Sequence, residues 1–500
     1  MDFIRNFPML TVILSLFSGS LCFVLKGKTA RNYTILYEIF LLFVCGTILW
    51  YTVTTGQSFT YSMGEFSAPW GNELRAGILE AMLASFFMVI MAASVLAGYR
   101  FVHTDIDESK VNLYYALLNL MTAALMAIIW TNDLFSGYVF LEILTLTSCG
   151  ILIVREIGRT TLAAVRYMIM NLLGSGLFLL GLVLLYDLTG HLLMVPMQET
   201  IAEMARNPRL LMALTISTGI LTIGLSIKGG LFPFHFWMPD TYGWATPTSA
   251  SILSSLVSKA YIFLLIKIFY RGIGIRIFAL MPIKNILLVL GILGMVFGSI
   301  QAMQAGNINR MVAFSSAAQI GYIFMGIGMG GTAGYTAAIF HIMAHSVTKS
   351  MLFLTTPRLA EVSGSSLIFH NLQASALRDR NAGLFFLIGS FSMIGIPLFA
   401  GFASKLQFAL AAVETGSTIR LLAVMLALAL SSLLNAMYFI RTLIRIYSDP
   451  QGTVKEGDVR AMHRPGYNIP MMCLAAVNLF LGLFSWAVVD LIERGLRMFG

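Results

Sequence analysis

The chain has 500 residues, of which 58% are hydrophobic and only 11% are charged, whereas an ordinary soluble protein carries about 25% charged residues. A single core cannot absorb that much apolar side chain, so the composition excludes a soluble globular protein and predicts an all-α polytopic membrane protein. The net charge of +9 is dispersed through the loops with no basic block suited to nucleic acid, and it serves as a topology signal.

The opening residues MDFIRNF lead directly into an apolar run with no small-residue cleavage site, so no cleaved leader is expected. Runs of roughly 20 apolar residues predict fourteen spans, at 7–25, 33–53, 75–99, 111–131, 133–154, 164–187, 210–236, 247–270, 278–303, 309–329, 333–356, 382–412, 420–446 and 468–491. Cys22, Cys45, Cys149 and Cys473 all fall inside spans, form no CxxC pair and read as small hydrophobes. Lys26, Lys28, Arg31, Arg100, Lys110, Arg155, Arg159, Arg166, Arg358, Arg378, Arg380, Arg441, Arg445, Lys455, Arg460 and Arg464 crowd the odd-to-even loops, while the loop at 54–73 has no Lys or Arg. That bias predicts both termini outside and the basic loops on the cytoplasmic side of the inner (plasma) membrane. Arg271, Arg276 and Lys284 run against it. The loop at 357–381 is long enough for a helix along the membrane surface, over SLIFHNLQASALRDR. No long lateral helix is expected after the last span.

Ionisable residues inside spans carry the functional signal, because each costs at least ~2.5–3.5 kcal/mol at mid-membrane. Glu142 lies near the centre of the fifth span, where its short side chain cannot reach the surface; it is either functional or a protonated glutamate bonded to a neighbouring helix. Lys228 comes late in the seventh span, just before Gly229, Gly230 and Pro233. A lysine near a helix end can snorkel, but Pro233 interrupts the helix, and unpaired backbone at that depth is tolerated only beside protein or water. The stretch therefore reads as a discontinuous helix beside a polar cavity. Lys259 sits among Ser254, Ser255 and Ser258, too deep for easy snorkelling, whereas Lys267 is nearer the span end and reads as a snorkelling residue. His341, His345 and Lys349 are spaced i, i+4, i+8 and so share one helix face. They read as proton-relay residues, with structural histidines as the alternative and no HExxH or nearby carboxylate to favour a metal. Lys405 follows Pro397 and Gly401 in the twelfth span, so a helix break again accompanies a lysine.

These motifs together resemble a known family. KGGLFPFHFWMPDTYGWATPTSASILSSLVSKAYIFLL, residues 228–265, resembles the signature FPxHxWLPDAHxxAPTPVSAxLS flanked by two lysines. It is found in antiporter-like subunits of respiratory complex I, Mrp-type cation/proton antiporters and membrane-bound hydrogenases. TNDLFSGYVFLE, NINRMVAFSSAAQIGYI, HIMAHSVTKSMLFL and GIPLFAGFASK resemble further family segments in the right order, from about residue 75 to 412. The resemblance implies a fourteen-helix fold with two inverted five-helix repeats and broken helices 7 and 12. Helices 1–3 would occupy 1–110, the repeats 111–271 and 272–446, and a basic loop and last span 447–500. Carried over by position, Glu142 pairs with Lys228, Lys259 is the central lysine, His341, His345 and Lys349 link the half-channels, and Lys405 is the distal lysine. That lysine fits the Mrp D type or its hydrogenase and complex I counterparts. Asn307 and Asn309 depart from the family's usual Asp and Lys, and TYGWATPT departs from its AHxxAPTP.

The implied function is proton translocation, with sodium exchange a possible property of the whole complex. An intact Glu142–Lys228 pair keeps the lysine charged; opening it sends the proton toward Lys259, the histidines and Lys405 as a coupled set. The implied partners are small membrane subunits, another antiporter-like subunit and, in some complexes, redox subunits. No cofactor, metal or catalytic centre is expected in this chain. A stand-alone transporter of a polar solute would use the same broken helices. A quinone-reducing enzyme lacks any supporting nucleophile, haem or cluster motif, and a structural anchor leaves the buried charges unexplained.

Overall fold

The computed structural model describes residues 2–66, 72–449 and 465–499. Lys455, Arg460 and Arg464, invoked above for orientation, lie outside the described residues. Among the described residues, 13 helical stretches are long and apolar enough to cross a membrane. The stretch expected for the twelfth span holds two shorter helices instead, Arg380–Ile394 and Ala400–Glu414, which a break separates. Helix starts follow local chemistry. Asp133, Asn207, Thr246, Asn307, Asp379 and Ser417 each accept a hydrogen bond from a backbone N–H of the first turn, which satisfies donors that no helical carbonyl can reach. Asn307 therefore caps its helix as well as an aspartate would, accepting from Arg310 N at 2.8 Å.

Burial decides which helices are central. The spans Pro247–Phe278 and Gly331–Glu361 are 100% buried over their most apolar windows, against 33% for Thr418–Tyr447. The two central helices are those that carry Lys259 and the His341–His345–Lys349 row. Peripheral helices turn large apolar residues such as Phe43, Leu172, Leu426 and Ile444 outward, the pattern of a bundle solvated by lipid. The basic loops gather at one end: Arg155 pairs with Asp105 at 3.0 Å, Arg100 with Glu361 at 3.6 Å, and Lys110 with Glu156.

Three local readings are corrected. The segment 366–380 is not one surface helix; it makes two short turns, Phe369–Leu372 and Ser375–Arg378, with Leu372, Ser375 and Ala376 buried. Lys267 does not snorkel. It is fully buried, its Nζ donating to the carbonyls of Ile129 at 2.8 Å and Thr131 at 2.5 Å and lying 3.9 Å from Glu80 Oε1. Arg271 is not a loop cation. It is buried, its Nε donating to Asn132 Oδ1 at 3.0 Å, so it should not be counted among the loop charges that orient the chain.

Those two cations belong to a cluster at the end opposite the basic loops. An antiparallel hairpin, Phe59–Ser62 against Glu73–Ala76, delivers Arg75 to Glu80 in the first turn of Ile78–Asp105, at 2.6 Å with both side chains buried. Arg75 also donates to Met498 O at 2.6 Å and lies 5.1 Å from the Phe499 ring. Glu80 is thus the carboxylate against which Arg75 and Lys267 are packed. Breaking a buried pair by removing one partner costs about 3–5 kcal/mol, because the other charge stays buried. Glu80→Ala is therefore expected to lower the thermal unfolding midpoint of the detergent-solubilised protein sharply. A midpoint unchanged from the unsubstituted chain contradicts this account of the cluster.

Candidate functional site

Lys228 closes the helix Pro208–Gly229, which stops because Gly230 turns left-handed at φ 80°. Glycine suits that place because side chains resist positive φ; a Cβ there would also meet the end of the Met238 side chain, 2.4 Å from Cε, which would have to shift. Pro233 follows in the break, then a tight turn Phe234–Trp237 and the helix Met238–Trp244. The lysine so placed is fully buried. Its Nζ donates to Thr145 Oγ1 at 2.8 Å and stands 3.6 Å from Glu142 Oε1, with the Tyr261 ring at 5.4 Å. Glu142 and Thr145 both come from Leu134–Ile153, one turn apart on one face. The pair is a loose one. At 3.6 Å the ions attract without a hydrogen bond, and Glu142 Oε1 has no other hydrogen-bond partner.

The next lysine lies on the same helix as Tyr261. Lys259 is fully buried beside a π-helical turn, Leu253–Val257, and its Nζ donates to Ser254 O and to Ser258 Oγ at 3.2 Å. Such turns free backbone carbonyls and recur at functional sites. Ser254 Oγ meets Ser316 Oγ at 3.1 Å, and neighbouring Ser315 receives Lys349 Nζ, which also donates to Val312 O at 2.8 Å. Ser346 Oγ donates to Ser255 O at 2.6 Å. Lys259 and Lys349 each lean on a backbone carbonyl and a serine hydroxyl, and among the described residues no carboxylate pairs with either.

His345 and His341 stack in parallel one turn apart, with ring centroids 5.9 Å apart and planes within 2°. His341 Nδ1 shares a hydrogen bond with Ser404 Oγ at 2.7 Å, while His341 Nε2 and both nitrogens of His345 have no hydrogen-bond partner in the structure. Ser404 adjoins Lys405. The second break, where Gly395 is left-handed at φ 91° and Pro397 follows, exposes the last carbonyls of Arg380–Ile394. Lys405 reaches back over it to Ile394 O at 2.6 Å and Met393 O at 3.4 Å, a cation at a helix C-terminus.

Of the seven titratable residues singled out in the sequence, the structure brings Glu142 beside Lys228 and His341 beside His345, and it gives Lys228, Lys259, Lys349, His341 and Lys405 hydroxyl or carbonyl partners. Ser254 and Ser258 were already marked beside Lys259 in the sequence, whereas Thr145, Ser315 and Ser404 carried no distinguishing signal, since membrane helices contain many hydroxyl residues. Asp240, between Arg166 at 2.5 Å and Arg310 at 3.6 Å, was also missed; WMPDTY contained it, but only the fold brings its two arginines to it. Among the described residues, no three His, Cys, Asp or Glu side chains cluster as a metal site would require.

Two interrupted helices with a lysine at each break, joined by a polar row through a helical bundle, define an antiporter-like membrane protein. The profile of the family described as NADH:quinone oxidoreductase/Mrp antiporter, TM, matches residues 131–431, and the chain belongs to that family. It is 31% identical over 453 residues to NADH-quinone oxidoreductase subunit N of Desulforudis audaxviator, covering 88% of this chain and 86% of that one. Against the D-type subunit of the Na(+)/H(+) antiporter of Bacillus subtilis the identity is 26% over 445 residues, covering 89% and 87%. The fold matches a chain of the membrane-bound sulfane sulfur reductase, an archaeal respiratory membrane complex, with a TM-score of 0.86 and 22% identity over 100% of this chain and 97% of that one. It also matches a chain of the Mrp complex of a Dietzia species, with a TM-score of 0.81 and 22% identity over 99% and 97%.

The helix break depends on Gly230. Gly230→Ala forces a methyl group into Met238 at a left-handed residue, at a backbone cost of about 1–2 kcal/mol before any clash. A lower yield of folded protein and a lower unfolding midpoint are expected. Gly176→Ala, where a Cβ meets nothing within 4 Å inside the helix Gly158–Thr189, is the control expected to change neither. Equal behaviour of the two variants on size exclusion and thermal unfolding contradicts the role given to Gly230.

Proposed function

We propose that this chain is an ion-translocating subunit of a multisubunit membrane complex, moving protons through the row of Glu142, Lys228, Lys259, Lys349, His345, His341 and Lys405. The observation that carries the reading is the divided allegiance of Lys228, hydrogen-bonded to Thr145 and only electrostatically paired to Glu142. A buried ammonium held by one hydroxyl and a carboxylate 3.6 Å away can lose the second partner through a small movement. When it does, nothing else compensates its charge, and the proton leaves toward Lys259. The groups behave as a coupled set, each charge state setting the cost of the next. The two breaks supply polar backbone and room for water where protons reach the row.

Partner subunits follow from the relatives and fold neighbours, whose names and descriptions are those of complexes: a quinone oxidoreductase, a sodium/proton antiporter, a sulfane sulfur reductase and an Mrp assembly. The reading places small membrane subunits and a second antiporter-like subunit beside this chain, with redox subunits present if the complex is respiratory. It gives the chain itself no cofactor and no catalytic centre. It sets the chain in the plasma membrane with the end bearing Arg100, Arg155 and Arg358 facing the cytoplasm and both termini outside, and it divides residues 111–446 into two inverted repeats. Sodium, where exchanged, is handled by the assembly.

Lys228→Ala is expected to reduce ion transport by the complex in native membrane vesicles to background, while the variant still assembles but unfolds at a somewhat lower temperature, since Glu142 loses its cation and the truncation leaves a cavity. Dye-monitored proton movement alongside mass spectrometry of the purified complex checks both halves. Normal transport by the variant refutes the proposed row. The same purification settles the partners: iron–sulfur subunits indicate a respiratory complex, and small membrane proteins with a second antiporter-like chain indicate an Mrp-type antiporter. A chain that purifies alone and still transports overturns the multisubunit reading.

A further inference from the structure

Outside the matched residues 131–431, three helices meet in a seam that the transport row does not use. Each presents a stripe spaced 4, 3, 4, so that its members share one helix face. Phe7–Val24 contributes Thr11, Ser15, Ser18 and Cys22; Gly27–Thr55 contributes Thr34, Glu38, Leu41 and Cys45; Val111–Trp130 contributes Tyr115, Asn119, Thr122 and Met126. All are at most 1% exposed. The stripes are bonded to one another. Trp130 Nε1 donates to Thr11 Oγ1 at 3.1 Å, Asn119 Nδ2 donates to Thr34 Oγ1 at 3.1 Å and to Cys22 Sγ at 3.2 Å, and Thr122 Oγ1 donates to Glu38 Oε1 at 2.9 Å.

Glu38 is the only acid among these stripes, about 17 Å along its helix. Its second oxygen, Oε2, has no hydrogen-bond partner, nor have Ser18 Oγ, Asn119 Oδ1 and Tyr115 OH. No cation faces it: among the described residues none pairs with Glu38, and Arg31, seven residues earlier on the same helix, lies over the Tyr99 ring of Ile78–Asp105 at 5.1 Å. The titratable groups facing it are Tyr37 and Cys45 from its own helix and Cys22 from Phe7–Val24, and none of them is a cation. Tyr37 is occupied with Ser15, at 2.7 Å. Structural carboxylates elsewhere in this chain are tied down by cations, as Glu80 is by Arg75 and Lys267. Glu38 is not. A buried carboxyl with one donor and no counter-ion exists as the neutral acid, and a neutral acid is itself a donor that needs an acceptor. Four unpartnered polar atoms in one seam are what internal water satisfies, at roughly two to four hydrogen bonds each.

We infer that Glu38 is a second proton-binding site of this protein, a carboxyl loaded with a proton and hydrated by internal water in the seam of the first, second and fourth spans, separate from the Glu142–Lys405 row. Proton uptake there converts the carboxylate and a hydronium ion into a carboxylic acid and water, so no other reactant is needed.

The test uses the complex as purified from native membranes, with infrared difference spectroscopy between unsubstituted and Glu38→Gln protein. The amide keeps the shape of the side chain and the bond from Thr122. The expected result is loss of one protonated-carboxyl C=O band in the variant, a band that shifts in the unsubstituted protein when water is exchanged for deuterium oxide. Thr122→Val should keep that band but displace it, because it removes the donor to Oε1. No carboxyl band lost with Glu38→Gln, or a band that fails to respond to deuterium oxide, overturns the inference: the first means an ionised side chain and the second a dry one. Lys228→Ala should leave the band in place, so failure of the transport row and failure of this site give different results.

Discussion

The constraint on which this structure depends is the poor solvation of charge inside a lipid-solvated bundle. Each ionisable group there needs a partner from the protein or from enclosed water, and the partners in this chain fall into three kinds. Glu80 and Arg75 compensate each other closely at 2.6 Å, with Lys267 3.9 Å from the same carboxylate and bonded to two backbone carbonyls. Lys259, Lys349 and Lys405 have no carboxylate beside them among the described residues and lean on backbone carbonyls and serine hydroxyls. Lys228 stands between, with a hydroxyl at 2.8 Å and a carboxylate at 3.6 Å. Closely compensated charges hold the fold. Partly compensated ones are held by fewer and weaker contacts, and so cost less to rearrange.

The helix breaks explain how carbonyls become available for that purpose. An uninterrupted helix uses its carbonyls internally, so a lysine beside it must share one that is already bonded, as Lys349 does with Val312 O. At the second break Gly395 and Pro397 end the helix early, and the carbonyls of Met393 and Ile394 are free to accept from Lys405. At the π-helical turn the Ser254 carbonyl serves Lys259 in the same way. The lysine precedes its break at Lys228 and follows it at Lys405, so the two sites use opposite ends of the interruption. Pro and Gly, which disfavour helix in water, here supply the solvation that makes a buried ammonium tolerable.

Much of this was legible in the sequence, for reasons that can be traced to residues. Spans are legible because lipid demands uninterrupted apolar runs. The seven titratable residues are legible because each breaks such a run, and the breaks because Gly230, Pro233 and Pro397 have few other uses there. Lys267 was misread because its distance from the span end is ambiguous; only the fold shows that Glu80, 187 residues earlier in the sequence, fills the space beside it. Arg271 was misread for the same reason, as its partner Asn132 comes from another helix junction. The surface helix over 366–380 failed because apolar spacing in a short loop does not distinguish one amphipathic helix from two turns that tuck Leu372 and Ala376 inward. Ser315 was invisible as a partner because serine is ordinary in membrane helices until a lysine is placed beside it.

The separation between compensated and uncompensated charge also orders the molecule in space. The closely paired cluster sits at the end opposite the basic loops, where the hairpin carrying Arg75 closes the bundle. Lys259, His341, His345 and Lys349 occupy the interior, on the two helices most buried by their neighbours. Among the described residues, the polar contacts of Lys259, Lys349 and His341 are serine hydroxyls and backbone carbonyls, not carboxylates. Carboxylates stand elsewhere, Glu142 beside Lys228 and Glu80 beside Arg75. A chain built only for stability would put its counter-ions beside its buried lysines. Leaving Lys259 and Lys349 without them, fully buried and held only by serine hydroxyls and backbone carbonyls, costs stability that a purely structural chain would not give up, which is what the proposed transport role requires.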